Sequence, residues 1–138
     1  EDLKNEDQIF TRNGAFRRTI VNIYNHQCAF CRVRVVGQNN LNMVDGAHIK
    51  PFSTFRNDLF VNGLSLCKNH HWAFDKGWFG VDKNYKISIP EGRFTEEKAV
   101  NSRGMKDFHG ESIVLPNNAD YYPDKEALKW HMEYWKIS

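Results

Sequence analysis

The chain has 138 residues, of which 41% are hydrophobic and 14% aromatic. This size and composition suit one globular domain and exclude a disordered or low-complexity polypeptide. No apolar run approaches the roughly 20 residues that a membrane-spanning helix needs, and the acidic first ten residues lack a signal-peptide pattern. We therefore expect a cytoplasmic protein with no membrane partner.

The net charge of +2 is unevenly distributed along the chain. Residues 1–7 contain four acids and one lysine, whereas residues 8–44 contain five arginines and no acid. Such a stretch creates a local positive field that suits phosphates, although a basic surface without function explains the charge equally well. The acidic start without an initiator methionine suggests a domain excised from a larger protein.

The predicted elements begin with a helix over residues 14–25, in which Phe16, Ile20, Ile23 and Tyr24 form one apolar stripe. Alternating β-branched residues then predict a strand over 32–36, and the turn-like residues 37–40 lead to a second extended run over 41–49. Residues 52–61 have the composition of a loop.

The second half of the chain begins with a predicted strand over 63–66 and a helix over 68–75. Residues 78–82 and 85–89 predict a hairpin. Residues 91–122 carry few periodic signals and predict loops with one short strand.

The C-terminal segment predicts an amphipathic helix over about 123–136, with Pro123 at the first helical position. One apolar face of this helix carries Leu128, Met132 and Trp135. We interpret that face as structural packing.

Two short pairs of metal-ligand residues stand about 35 residues apart: Cys28 with Cys31, and Cys67 with His70. Each spacing lets two side chains converge on one ion, and together they supply the four ligands of a closed tetrahedral zinc site. An odd number of cysteines argues against a disulfide framework. Because no ligand position stays open for water, we expect the Zn²⁺ to be structural.

Between and after these pairs lie the segments VDGAHIKPF, VNGLSLC and HWAFDKG. They resemble the HNH family of ββα-metal nucleases, in which His48, Asn62 and His71 occupy the three motif positions. The resemblance covers residues 16–89, and the C-terminal helix more loosely. It implies an α+β, ββα-metal fold with a structural zinc site and flanking N- and C-terminal helices, forming a single HNH nuclease domain over 1–138.

The chemistry of phosphodiester hydrolysis explains these residue types. A water must lose a proton near neutral pH, and a histidine such as His48 has a suitable pKa. The resemblance implies that Asn62 orients the imidazole through its amide. A divalent ion, Mg²⁺ or another such as Mn²⁺, would stabilise charge on the phosphate and the leaving oxygen, with His71 as the best candidate ligand.

The second ligand of this catalytic metal is less obvious in the sequence. Many family members carry an acid immediately before the base, where this chain has Ala47. Asp45 lies on the same strand face as residue 47 and is a candidate replacement. Asp75 follows His71 by four residues on the same helix face. It would bind the metal, orient His71 or pair with an arginine, and a structural role is favoured.

Basic residues flank the motif and are expected to contact backbone phosphates of DNA, with RNA left open. They are Arg17, Arg18, Arg32, Arg34, Lys50, Arg56, Lys68 and Lys76. Specificity would come from a fused reader domain or from a homodimer, as in restriction or defence enzymes.

Two other functions fit part of the pattern. A zinc-stabilised nucleic-acid-binding module without catalysis would explain the Cys/His pairs and the basic stretch. A zinc-held protein-interaction domain would explain only the pairs. Neither explains why His48, Asn62 and His71 occur in the order of the family motif.

Overall fold

The computed structural model describes residues 14–138, so the acidic start and the first part of the acid-free stretch lie outside the described residues. Helix α1 covers residues 14–23. Of the predicted stripe, Phe16, Ile20 and Tyr24, which follows the helix, are buried, and Ile23 is partly buried. The helix ends earlier than expected because Asn25 and His26 adopt left-handed backbone conformations. Within the described residues, no helix is long and apolar enough to span a bilayer.

The central element is an antiparallel hairpin of β1, Val44–His48, and β2, Gly63–Cys67. In its register Val44 pairs with Cys67, and His48 pairs with Gly63. Helix α3, Lys68–Asp75, begins directly after β2, as the sequence predicts. This strand–strand–helix unit carries the motif residues, and the structure confirms the expected α+β architecture.

Helix α1 packs closely on β1 because Gly46 has no side chain. A Cβ atom at position 46 would lie 2.7 Å from both the Cα and the carbonyl oxygen of Arg17. Real Cβ atoms do not approach backbone so closely, so this glycine allows the helix to contact the strand. Its consequence for the site is that Arg17 lies beside the hairpin.

The predicted strand over 32–36 is wrong. It contributes one isolated bridge, Val36 to Asn42, and the side chains of Val35 and Val36 are exposed. Within residues 14–138 its pairing with residues 42–43 does not extend into a ladder. Tertiary context decides strand formation more than propensity does. The following turn contains a 3₁₀ helix, Gln38–Asn40.

The loop between the two central strands contains a one-turn helix, α2, Phe52–Phe55, and a 3₁₀ helix, Phe60–Asn62. After α3, the predicted hairpin is present but short, with β3 at Gly80–Val81 and β4 at Ile87–Ser88. The Asp82 carboxylate accepts the backbone N–H groups of Asn84 and Lys86 at 2.8 and 3.0 Å, which closes its turn.

The long segment before the last helix contains 3₁₀ helices at Met105–Phe108 and Ala119–Tyr121. The short strand expected there is reduced to one bridge between Lys86 and Ser112. Backbone hydrogen bonds hold its later part, because the N–H of Ile87 donates to the Glu111 carbonyl and the N–H of Ile113 to the Tyr85 carbonyl, at 2.8 and 2.9 Å. Side chains add further contacts. Arg93, for example, donates to the carbonyl oxygens of Gly77 and Trp135 at 2.8 and 2.7 Å.

Helix α4, Lys125–Tyr134, begins two residues later than predicted. Its N-cap is Asp124, whose carboxylate accepts the backbone N–H of Glu126, so Pro123 precedes the cap instead of starting the helix. The buried His131 ring stacks on Phe74 with centroids 3.7 Å apart, and its Nε2 lies 2.9 Å from the Phe74 carbonyl oxygen. These contacts fix α4 against α3.

Candidate active site and metal centre

The four predicted zinc ligands converge at one point. Cys28 and Cys31 lie in the turn after α1, where the backbone N–H of Ala29 donates to the Ser65 carbonyl of β2 at 2.7 Å. Cys67 ends β2, and His70 lies in the first turn of α3. Their ligand atoms all lie within 4.8 Å of one another.

The distances in this group fit a tetrahedral metal ion. The Cys31 and Cys67 sulfurs are 4.0 Å apart, and the Cys67 sulfur is 3.1 Å from His70 Nδ1. Zn–S bonds of about 2.3 Å place the sulfurs of a tetrahedral site roughly 3.8 Å apart. Three unpaired thiols and one imidazole are a zinc donor set, and among residues 14–138 this is the one group of three or more such donors that converges.

His48 lies at the end of β1 and is held on several sides. Its ring stacks on Phe16 with centroids 4.0 Å apart and an interplanar angle of 5°. Its Nε2 lies 2.9 Å from the Asp58 carboxylate. A carboxylate only accepts, so this contact requires the proton on Nε2 and leaves the lone pair on Nδ1.

The electrostatic surroundings of His48 favour a neutral ring. Burial lowers the pKa of His48 below its ordinary value, and the nearby charge of Arg17 lowers it further, although Asp58 acts in the opposite direction. His48 is therefore a neutral base at physiological pH.

Asp58 is a site residue that the sequence reasoning missed. It lies in the loop between β1 and β2, ten positions after His48. An acid between the first and second motif residues is the one signal that the sequence offers, and no periodicity indicates which loop side chain folds back onto the histidine.

Asn62 does not make the contact expected of it. Its fully buried side chain accepts the backbone N–H of Lys50 at 2.9 Å and donates to the carbonyl oxygens of Lys50 and Asn57. The predicted hydrogen bond to the imidazole is replaced by that of Asp58, because Asn62 is committed to the backbone. Asn62 therefore shapes the loop that brings Asp58 to His48.

His71 stands between two carboxylates. Its Nδ1 lies 3.3 Å from Asp45, and its Nε2 lies 3.3 Å from Asp75, one helical turn further along α3. Asp75, ahead of Asp45, raises the pKa of His71. The other Asp45 oxygen contacts the Lys68 ammonium, and this pairing lowers the pKa of Asp45 despite its burial.

The two carboxylates open onto different surfaces. His48, His71 and Asp75 line a cleft of about 350 Å³, one wall of which is formed by residues of α4. Asp45 instead lines a second groove beside Arg18, because residues 45 and 48 lie on opposite faces of the strand. Within the cleft, Asp75 is thus the carboxylate next to His71. Helix α4, which we expected only to pack against the core, also forms a wall of this cleft.

The basic residues expected to contact phosphates do not form one patch. Arg17 lines both the cleft and the groove, and Arg18 lines the groove. Arg32 is bound to the Ser112 carbonyl and lies 3.7 Å from Glu111, while Arg34 donates to the Asn25 carbonyl.

Lys50 and Arg56 lie near the cleft. The ammonium of Lys50 is above the ring of Phe55, and the guanidinium of Arg56 is above that of Phe52.

Two comparisons with known proteins both find similarity to endonucleases. Residues 28–82 match the family model of HNH endonucleases, so the resemblance seen in the sequence is confirmed over the segment that holds both the Cys/His group and the cleft motif. No curated protein matches the chain significantly.

A similar solved structure is the modification dependent TagI restriction endonuclease, with a TM-score of 0.61 and 18% sequence identity. The match covers 87% of this chain and 37% of that one. At this identity the likeness concerns the fold, and it confirms the ββα-metal architecture.

Proposed function

We propose that this chain is a metal-dependent HNH endonuclease domain that hydrolyses phosphodiester bonds, with DNA as the expected substrate. The observation that carries the proposal is the His48–Asp58 pair, whose histidine lines the same cleft as His71 and Asp75. The HNH match over residues 28–82 supports it. The similar structure is a restriction endonuclease of which this chain spans 37%, and this supports a role beside other domains in a restriction system.

His48 is the general base of the proposed reaction. With Nε2–H held by Asp58, Nδ1 accepts a proton from the attacking water. Stacking on Phe16 fixes the ring plane, so the lone pair is aimed without a loss of rotational freedom during the reaction. Asp58 stabilises the imidazolium that forms, as a carboxylate does beside any histidine base.

His71 is the proposed metal ligand, with a neighbouring carboxylate. Histidine ligands commonly bind through one nitrogen while the other donates to a carboxylate, and His71 has a carboxylate at each nitrogen. We propose Asp75 as the ligand on the cleft side and Asp45 as the outer partner, which revises the expectation for Asp45. A bound Mg²⁺ or Mn²⁺ supplies positive charge at the phosphate and the leaving oxygen.

The proposed function is tested by nicking of supercoiled plasmid DNA with Mg²⁺ or Mn²⁺. We expect His48→Ala to lower the cleavage rate by at least the ~10²–10⁴-fold that a general base contributes. His109→Ala, an exposed histidine outside the cleft, is the matched control and retains cleavage.

Undiminished cutting by a pure, folded His48→Ala protein would contradict the assignment. DNA binding without cleavage by the parent chain across several divalent metals would instead favour the zinc-stabilised binding module.

A further inference from the structure

Three aromatic side chains, Phe55, Trp130 and Tyr134, form what we call the aromatic rim. Trp130 and Tyr134 line the cleft from α4, and their rings stack with centroids 5.0 Å apart and an interplanar angle of 20°. Phe55 of α2 meets Trp130 edge-on at 5.1 Å. Tyr134 is 62% exposed and Phe55 is 38% exposed, so the rim presents aromatic surface to solvent. Core packing does not account for it.

Cationic groups are interleaved with these and the adjoining rings. The ammonium of Lys50 lies 4.9 Å from the centroid of Phe55, and Arg17 lines the same cleft. Asp75 is the one acid among the described residues that line it. Aromatic faces beside a positive groove are the combination by which proteins hold unpaired nucleic-acid strands.

We infer that the aromatic rim is a stacking site for an unstacked base of the strand being cut. The inference rests on the proposed function, because it places the base beside the phosphate that enters the His48 cleft. A protein segment seated on the rim would cover that cleft and exclude the phosphate, whereas one nucleotide strand can use both. A fully paired duplex presents no free base face internally, so the inference implies a single-stranded or terminal base.

Binding can be measured without cleavage in the zinc-loaded His48→Ala chain, by fluorescence anisotropy of a labelled single-stranded oligonucleotide. Stacking of one base contributes about 1–3 kcal/mol, so we expect Tyr134→Ala to weaken binding roughly 5- to 150-fold. Tyr134→Phe keeps the ring and should bind within about twofold of the parent. Tyr121→Ala, an exposed aromatic residue outside the cleft lining, is the matched control.

An abasic scan of the oligonucleotide identifies the stacking contact itself. One abasic position should reproduce the loss caused by Tyr134→Ala, and Tyr134→Ala should cause little further loss on that abasic strand. A fully paired, closed duplex should be nearly insensitive to the substitution.

Unchanged affinity of Tyr134→Ala for the single strand would overturn the inference. So would equal weakening on closed duplex and single strand, because that pattern indicates backbone contact. If the His48→Ala chain binds neither nucleic acid, the proposed function fails first and this inference fails with it.

Discussion

At the scale of single residues, the site depends on how one imidazole is held. Asp58 determines which nitrogen of His48 carries the proton, and Phe16 determines the plane of its ring. Asn62 affects His48 indirectly. Its three hydrogen bonds to the backbone of Lys50 and Asn57 shape the loop that carries Asp58.

Asp58→Ala should therefore lower kcat while the fold survives. We expect a loss between about tenfold and the ~10⁴-fold that an orienting aspartate contributes in serine proteases. Because Asp58 raises the pKa of His48, its removal should also move the acid limb of the pH–rate profile to lower pH.

The measurement for Asp58 is a pH–rate profile under single-turnover conditions, with the exposed Asp120→Ala as control. A lower rate with an unmoved acid limb would indicate a purely structural role for Asp58.

At the scale of elements, the helix and strand periodicities determine which of the two candidate carboxylates, Asp75 or Asp45, faces the cleft. The helical spacing of α3 places Asp75 beside His71, and the alternation of β1 places Asp45 on the opposite side from His48. The ammonium of Lys68, at the start of α3, also contacts the Asp45 carboxylate. The cleft-side pair is consequently His71 and Asp75.

Comparison of Asp75→Asn with Asp45→Asn tests this division of roles. Asp75→Asn should raise the Mn²⁺ concentration for half-maximal cleavage by more than the roughly 10–100-fold that loss of an outer partner costs. Asp45→Asn should stay within that range. The check is cleavage rate across a metal titration, and a larger effect for Asp45→Asn would reverse the assignment.

At the scale of the whole molecule, the Cys/His group joins the turn after α1 to the junction of β2 and α3. Regular structure is sparse elsewhere, since β3 and β4 have two residues each. Structural zinc in small domains contributes an apparent ~10–16 kcal/mol, comparable to or larger than the total stability of most domains, which is about 5–15 kcal/mol.

Removal of zinc by a strong chelator should therefore abolish cooperative thermal unfolding. Cys31→Ser should do the same, whereas His48→Ala should keep both one bound zinc per chain and the unfolding transition. Metal analysis combined with circular dichroism measures both properties. A metal-free chain with an unchanged transition would contradict a structural role for the group.

The sequence by itself determined the features that depend on local spacing. The two ligand pairs, the buried stripe of α1 and the boundaries of α3 all follow from short-range patterns, and the structure shows each in place. Such patterns report which residues can share a face or a turn.

Only the tertiary structure decided which groups meet across the fold. The partner of His48 is Asp58 because the loop pinned by Asn62 folds back onto β1. Residues 32–36 form no strand because, among the described residues, their pairing with residues 42–43 stops at one bridge. Helix α4 becomes a cleft wall because His131 docks it on Phe74. Each outcome depends on contacts between segments distant in sequence, which periodicity and residue type do not encode.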